Sequence, residues 1–509
     1  MKHCKRALLA IVAMFAMSMA TAQTINFVHG EDGNSVGYQP TQILLDKADA
    51  EGIYYSVEPD LNIFSKVKGI MVREVNREYK ESKCVKIDKT KAYGIMHAQR
   101  DGNRMHVLVS SFEKKAVIVR HVTVNLTSFT VESDKEILNR EIGKKEFFYH
   151  WTATSGNGNF GLVYAVVNEK DNSAYAHGML FDRSMNSLWS HSLNIGAISE
   201  IFVTDDGRIA TCGFSNGDGN GDGAALVFGI ADGLGTKQGH YPSVAQVGGM
   251  TILNVFGDKV LATALETGKG TGWAGNFLVG AVVTTGTIYT GVTAYLFDVE
   301  AGKMAGTDRH PFTKADARVF YNASLISEIA SPDVNFLGLR GKVATPSGGA
   351  ALYGRSWMEK VTQTRNGVST GMSSSVYYYK GMMLVNVDST GHIVWMKPLM
   401  HDNGNNADFA VNTETDLVAE GDDIYVITNE SPKDGDTYDP ENAVRRVVMV
   451  VHGAISAYRF GADGSVAKRK LATDGINIIM TPLRRQAPGV YTFISGQRKG
   501  CVSEINIGK

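Results

Sequence analysis

From Met383 to Trp395 the chain reads M-L-V-N-V-D-S-T-G-H-I-V-W. Two apolar-rich runs flank Asp388-Ser389-Thr390-Gly391, a tight-turn sequence with its glycine last. Asp and Ser favour turn entry and Gly tolerates a positive φ at turn exit, so the stretch is a β-hairpin. The same sentence recurs along the chain. Asp182 and Trp189 have the spacing of Asp388 and Trp395. Tyr295-Leu296-Phe297-Asp298 runs through V-E-A-G-K to Met304-Ala305, and Tyr458-Arg459-Phe460 through G-A-D-G-S to Val466-Ala467. A hairpin repeated at roughly 45–60 residues, or twice that, describes a blade-type repeat array.

The chain starts Met1-Lys2-His3-Cys4-Lys5-Arg6, continues in an apolar run to about Ala20, and reaches Ala20-Thr21-Ala22 before Gln23. A basic start, a short apolar run and an A-x-A end are the parts of a secretory signal peptide, residues 1–22. The run falls short of the roughly 20 apolar residues a spanning helix needs. The expected location is therefore outside the cytoplasm: periplasm, cell surface or extracellular. Cleavage removes Lys2, Lys5 and Arg6 and no acid, leaving 48 basic residues against 52 acidic ones, a net charge near −4. That balance gives no reason to expect nucleic acid or an anionic membrane as partner. Cys84, Cys212 and Cys501 would survive cleavage. Three cysteines in a chain this long are no disulfide framework, and no C-x-x-C pair points to zinc or redox chemistry.

Strand signals dominate from residue 61 onward: short runs rich in Val, Ile, Tyr, Phe and Thr, separated by Gly, Asp and Asn. The 55 glycines against 11 prolines suit many glycine turns. Residues 23–60 read as a lead-in and closing strand, and 61–509 as an all-β β-propeller of seven blades, with eight the alternative. The last unit, 476–507, holds only three strand-like runs, as when an N-terminal strand completes the final blade. Phe277 to Phe297 is 21 residues without a charge, long enough to suggest a membrane span. Its five Thr, three Gly and many β-branched residues make poor helix, so it reads as two strands broken near Thr284-Thr285-Gly286-Thr287. No membrane span is expected in the mature chain.

With its Asp-Ser-Thr-Gly turn and terminal Trp, the hairpin from Leu384 to Trp395 resembles the blade repeat of quinoprotein-like β-propellers. There an aspartate opens the turn, Thr-Gly closes it and the tryptophan packs between blades. The resemblance is local: Asp182/Trp189 lacks Thr-Gly, Asp298 is followed by Ala305 where Trp would stand, and Gly461 replaces Asp. It implies a fold and carries no quinone site. The whole also looks like secreted multi-blade proteins of Gram-negative bacteria that lack an assigned activity.

Candidate chemistry is sparse. Asp218-Gly219-Asn220-Gly221-Asp222-Gly223 matches the first half of a calcium loop, D-x-N-x-D-G, in which Asp218, Asn220 and Asp222 can converge on Ca2+. Position twelve is Gly229 where a bidentate Glu would be needed, and the alternative is a glycine-rich hairpin tip. Asp434, Asp436, Asp439 and Glu441 form an acidic insertion that reads as a solvated loop. Gly270 to Gly275 spells G-x-G-x-x-G, but strands flank it, so it is no dinucleotide site. At its tip Trp273 is a candidate contact for a sugar face or a partner protein. His150 and His310 stand alone, Glu200, Glu266 and Asp316 cannot be paired from sequence, and no catalytic residue is identified.

The resulting expectation is an exported non-enzymatic binding or scaffold protein of the cell envelope, its loops contacting an unknown protein or glycan. The alternative is a secreted glycan hydrolase or lyase on the same frame, and a third reading is a structural envelope component. A carboxylate pair or a His–carboxylate pair in the central channel would favour the enzyme. A mouth ringed by Trp, Tyr and Asn would favour binding.

Overall fold

A computed structural model describes the chain from residue 44 to residue 507. Excepted are 48–51, 62–66, 89–91, 171–173, 216–224, 244–245, 269–272, 277–279, 284–286, 322–326, 366–367, 400–414, most of 431–453, 473–477, 480–481, 497–499 and a few single positions. Eight antiparallel sheets follow one another along the chain: residues 44–88, 92–141, 146–193, 200–242, 246–311, 337–399, 415–472 and 478–506. The protein is an eight-bladed β-propeller. Of the two expected counts the structure has eight, and residues 44–61, expected within a lead-in and closing strand, supply the two inner strands of the first blade. Its inner strands Leu44–Lys47 and Tyr54–Leu61 pair with each other and with Val67–Val75. The first has only four residues, and the second carries Glu58 and Pro59, so neither alternates cleanly.

The Asp388 turn is built as its residues dictate. Asp388 N–H donates to the His392 carbonyl and Gly391 N–H to the Asp388 carbonyl, each at 3.0 Å, with Gly391 at φ 84°. Asp388 Oδ1 also accepts from the N–H groups of Thr390 and His392. Burial pushes the Asp388 carboxyl up, but these donors and the Thr390 hydroxyl outweigh it and hold it below its usual range. The same pair of backbone bonds closes turns opened by Asn76, Ser155, Asp182, Thr204 and Gly461. In the first four, a side-chain oxygen of the opening residue accepts the N–H four residues on. What the turn selects is a short side-chain acceptor at its start and a left-handed residue three places later. That residue is Tyr79, Gly158, Met185, Gly207, Gly391 or Gly464. All six turns join first to second or third to fourth strands, which places them on one face of the ring.

On the other face the second strand joins the third, and there blades 4 to 7 carry their insertions. They are 216–224, the extra hairpin Trp273–Asn276 and Gly280–Val283, the long pair Gly348–Arg365 and Val368–Asp388, and 431–453. The charge-free stretch is thus two strands, Gly280–Val283 and Ile288–Asp298, on either side of the expected break. No helix among the described residues is long and apolar enough to cross a membrane.

The core is divided among the seams between blades. Between blades 4 and 5, Phe228 and Phe297 stack at 4.7 Å among Cys212, Leu226, Ile252, Val260 and Tyr295. Between blades 5 and 6, Leu261, Leu296, Tyr353, Met383 and Val385 pack with the one described helix, Lys314–Tyr321. There Gly306 lets the Asp388 turn approach so closely that a Cβ would meet the Thr390 carbonyl oxygen at 1.9 Å. Two tryptophans latch blades together. Trp189 Nε1 donates to the Gly207 carbonyl in blade 4, and Trp395 Nε1 to the Ala462 carbonyl in blade 7, where the ring stacks on Phe460. Blade 8 has three rows, with Arg484–Ala487 and Ile478–Ile479 sharing one edge of Val490–Gly496. It meets blade 1 through Leu44–Lys47 and through Val502 N–H donating to the Arg77 carbonyl at 2.8 Å. Residues 1–43, which include the start of the expected closing segment, lie outside the described residues.

Candidate functional site

The acidic residues near the ring's interior are each held by partners. Glu266 is fully buried; Arg309 approaches both its oxygens, at 2.7 and 2.6 Å, and the Thr293 hydroxyl donates to it. Glu430 repeats the arrangement two blades on, with Lys468 Nζ at 2.8 Å and the hydroxyls of Ser456 and Tyr458. In both, the carboxylate ends the second strand, the hydroxyl lies on the third and the cation on the fourth. Blade 1 varies the pattern, pairing Glu58 with Arg73 of its third strand and the Tyr79 hydroxyl. On the innermost strands, Glu200 of blade 4 reaches Lys342 of blade 6 at 2.5 Å and accepts from Ile252 N–H and the Thr251 hydroxyl of blade 5. Asp416 accepts Leu483 N–H, and burial pushes its pKa up to about 6. His310 and Asp316 do pair, at 3.0 Å, but on an outer strand, where Asp316 also accepts the Thr313 N–H at the helix start. These groups hold blades and a helix cap together. A paired, satisfied carboxylate is poorly placed to serve as acid, base or nucleophile.

A different region is less apolar. The apolar cluster of the seam between blades 2 and 3 lies at one end and consists of Leu108, Phe160, Leu162, Phe181 and Met185. There the Asp182 turn docks on blade 2. Gln99 Nε2 donates to the Arg183 carbonyl at 2.7 Å, the Ser184 hydroxyl donates to Asp101, and His97 stacks on Phe160 at 4.2 Å. Toward the insertion face the outer residues of the seam are exposed, while Tyr164 and Val166 stay buried. Blade 3 presents Phe148 and His150 from its first strand (Glu146–Thr154), and Tyr164 from its second (Phe160–Asn168). Tyr175 and His177 come from its third (Ala174–Phe181), and Ser190 and Ser192 from its fourth (Ser187–Leu193). Alternation puts all seven on the face toward blade 2.

These side chains form a continuous run. Phe148 stacks on Tyr164 at 5.6 Å, and Tyr164 on His177 at 5.4 Å. His177 bonds through Nδ1 to the Tyr175 hydroxyl at 2.9 Å and through Nε2 to Ser190 Oγ at 2.8 Å. Ser192 Oγ donates to the Tyr175 hydroxyl at 3.2 Å. Tyr175 is 39 % exposed, and Phe112, at the end of the second strand of blade 2, is 45 % exposed. Burial lowers the pKa values of His150 and His177, so both imidazoles are neutral hydrogen-bonding groups at neutral pH. Burial raises Tyr164 to about 12. Blade 2 contributes Arg140, whose guanidinium lies 5.9 Å from the Tyr175 ring centre and whose Nε is buried with no hydrogen-bond partner. The carboxylate on this face of blade 3, Glu146, is turned aside to accept Gly143 N–H at 2.8 Å.

The residues singled out from sequence are placed elsewhere or lie outside the description. Asp218, Asn220 and Asp222 fall within 216–224, outside the described residues, as do Asp434, Asp436 and Glu441; Asp439 is exposed. Trp273 begins the strand Trp273–Asn276, its side chain outside the description. That strand takes up the second half of the glycine hexapeptide, where a loop tip was expected, and the strand Lys259–Thr267 precedes it. His150 alone joins the open seam. Tyr175, His177, Ser190 and Arg140 were missed. Their one sequence signal is the pair of polar alternations Tyr175-Ala-His177 and Ser190-His-Ser192 on either side of the Asp182 hairpin turn.

No known family pattern matches the sequence, and no curated protein matches it. Solved structures similar to it include the β-propeller domain of the Trilobed protease from Pyrococcus furiosus, at 9 % identity over 82 % of this chain and 94 % of that one, TM-score 0.30. The Pyrococcus horikoshii acylaminoacyl peptidase is 12 % identical over 82 % of this chain and 52 % of its own, TM-score 0.33. An endo-arabinase from Bacteroides thetaiotaomicron is 9 % identical over 48 % of this chain and 94 % of its own, TM-score 0.23. Likeness at this level says nothing about activity.

Proposed function

We propose that the chain is an exported binding or scaffold protein of the cell envelope that holds a glycan in the open seam between blades 2 and 3. The observation that carries this is the partly exposed run of aromatic rings and interlinked hydroxyl and imidazole groups from Phe148 to Ser192, anchored on the buried Tyr164. Sugar rings offer apolar C–H faces to aromatic side chains and many hydroxyls that both donate and accept. Rings with polar edges suit both demands at once. The insertions of blades 4 to 7 open on the same face of the ring and suit a protein partner. The test is calorimetric titration of the mature protein, expected to begin at Gln23, with cell-envelope oligosaccharides. Saturable binding without change in chain length supports the reading, and its loss in Tyr175→Ala places it in the seam.

The chain Ser190–His177–Tyr175 favours a second reading, in which a neutral imidazole moves a proton between two hydroxyls during glycan cleavage. No described carboxylate joins that chain. Cleavage of the bound oligosaccharide, abolished in His177→Ala, would replace the binding reading with this one.

A further inference from the structure

The open seam is not electrically neutral. Alternation turns Arg140 and Lys135, both on the fourth strand of blade 2 (Thr130–Glu141), toward blade 3. The acids Asp134 and Glu136 point to the opposite face, where Asp134 pairs with Arg120 at 2.7 Å. Lys144 and Lys145, in the connection to blade 3 at the mouth, are exposed. Against these stands Glu146, already occupied by Gly143 N–H. The neutral imidazoles leave Arg140 as the cation nearest the aromatic run. Its buried Nε lacks an acceptor, which for a guanidinium is costly unless an anion completes it. A planar fork beside an aromatic ring suits a carboxylate attached to a stackable ring.

Building on the binding reading above, we propose that the seam takes a uronic-acid-bearing oligosaccharide. Its carboxylate pairs with Arg140, one sugar face lies on Tyr175 and Phe148, and its ring hydroxyls bond to His177, Ser190 and Ser192. A neutral glycan would use the same rings and hydroxyls but leave Arg140 unanswered. An acidic peptide would satisfy Arg140 but has less use for the stacked rings and paired hydroxyls.

The probes are oligomers of galacturonate, guluronate and glucuronate, with methyl-esterified oligogalacturonate as the uncharged match. Calorimetry on the mature full chain should show at least one acidic oligomer binding tenfold or more tighter than its ester, with affinity falling as salt rises. Arg140→Gln should remove that preference, weakening the acid far more than the ester, while Tyr175→Ala should weaken both ligands alike. Melting temperatures of both variants should stay near wild type, since both side chains are at least partly exposed. Equal binding of acid and ester, with Arg140→Gln silent, would overturn the anionic ligand and leave glycan binding standing. Acidic binding untouched by Tyr175→Ala, or no binding of any oligomer, would overturn this proposal and the seam reading together.

Discussion

Blades 4 and 5 meet through a wall of apolar side chains, whereas blades 2 and 3 meet through apolar contacts at one end and aromatic, histidine and hydroxyl groups at the other. Both seams join antiparallel sheets of four consecutive blade strands, blade 5 adding an edge strand, Val334–Asn335, and an inserted hairpin. In the first, Phe228, Phe297, Ile252 and Val260 leave no side chain with a choice of partner. In the second, Phe160 and Leu162 do the packing, while Tyr175, His177 and Ser190 on the same face stay solvent-accessible. Closure of a propeller needs every blade tied to its neighbours, but not along its whole length. A seam that is closed at one end and open at the other can hold the ring together and still offer chemistry.

The largest expected effect breaks the packed seam. Phe297 is fully buried against Phe228, so Phe297→Ala should cost about 3–5 kcal/mol in denaturant unfolding. Tyr175→Ala, an aromatic truncation of similar size in the open seam, should cost about 1 kcal/mol or less. Comparable losses from the two would mean that the seam between blades 2 and 3 is as closed as its counterpart.

Next in size is acid sensitivity, which should arise at the closed end of the second seam. Burial is the main cause that holds His97 and His121 down to about 4, against an ordinary 6.5. His106 is lowered too, and its Nδ1 lies 2.9 Å from His121 Nε2, a contact that needs one ring unprotonated. The charged groups around them are Arg484, Lys135 and Arg104, which disfavour protonation, and Asp101, Asp182 and Glu132, which favour it. The folded state prefers neutral rings, so their contribution is complete above pH 6.5 and is lost as pH falls from 6.5 toward 4. Urea unfolding at pH 7.0 and 5.5 should show that loss, and His121→Asn should reduce it. Asp416, raised to about 6, titrates in the same window with the opposite sign, so the difference between wild type and His121→Asn isolates the histidine part. An equal decline in His121→Asn would move the acid sensitivity to other seams.

How much of this was legible depended on whether the signal was local. The Asp388 turn, the Asp182 hairpin and the strands on either side of 284–287 each follow from a few adjacent residues, and each appears where the sequence put it. Shifts of register at Ala92/Gly94 and Ile95/His97 erase the alternation that would announce the strand Ala92–Asp101. The inner strands of blade 1 were read as a lead-in for the reasons given above, and the preferred count of seven fell short by one. The open seam could not be read at all. It joins Arg140 to Tyr175 across two sheets, and its openness is a property of what fails to pack. A sequence states which residues are apolar, but not which of two faces finds a neighbour.

The smallest expected effect compares two copies of one turn. Gly391 and Met185 hold the same position, three residues after Asp388 and Asp182, at φ 84° and 61°. At Gly391 an alanine would adopt a left-handed conformation and bring its Cβ within 3.1 Å of Leu296, so Gly391→Ala should cost about 1–2 kcal/mol. Met185 already bears that strain and offsets it by burial beside Phe160 and Phe181 at the closed end of the open seam. Met185→Gly would relieve the left-handed strain and lose the buried side chain. Full burial of a methionine contributes about 1.5–3 kcal/mol and the strain costs about 1–2, so the net loss should be about 1 kcal/mol. Met185→Ala keeps the strain and loses most of the packing, and should cost about 2 kcal/mol or more. Denaturant midpoints for the two Met185 variants give the order directly. A glycine variant less stable than the alanine variant would mean that no strain is stored at Met185, and that chain entropy rather than packing governs this turn.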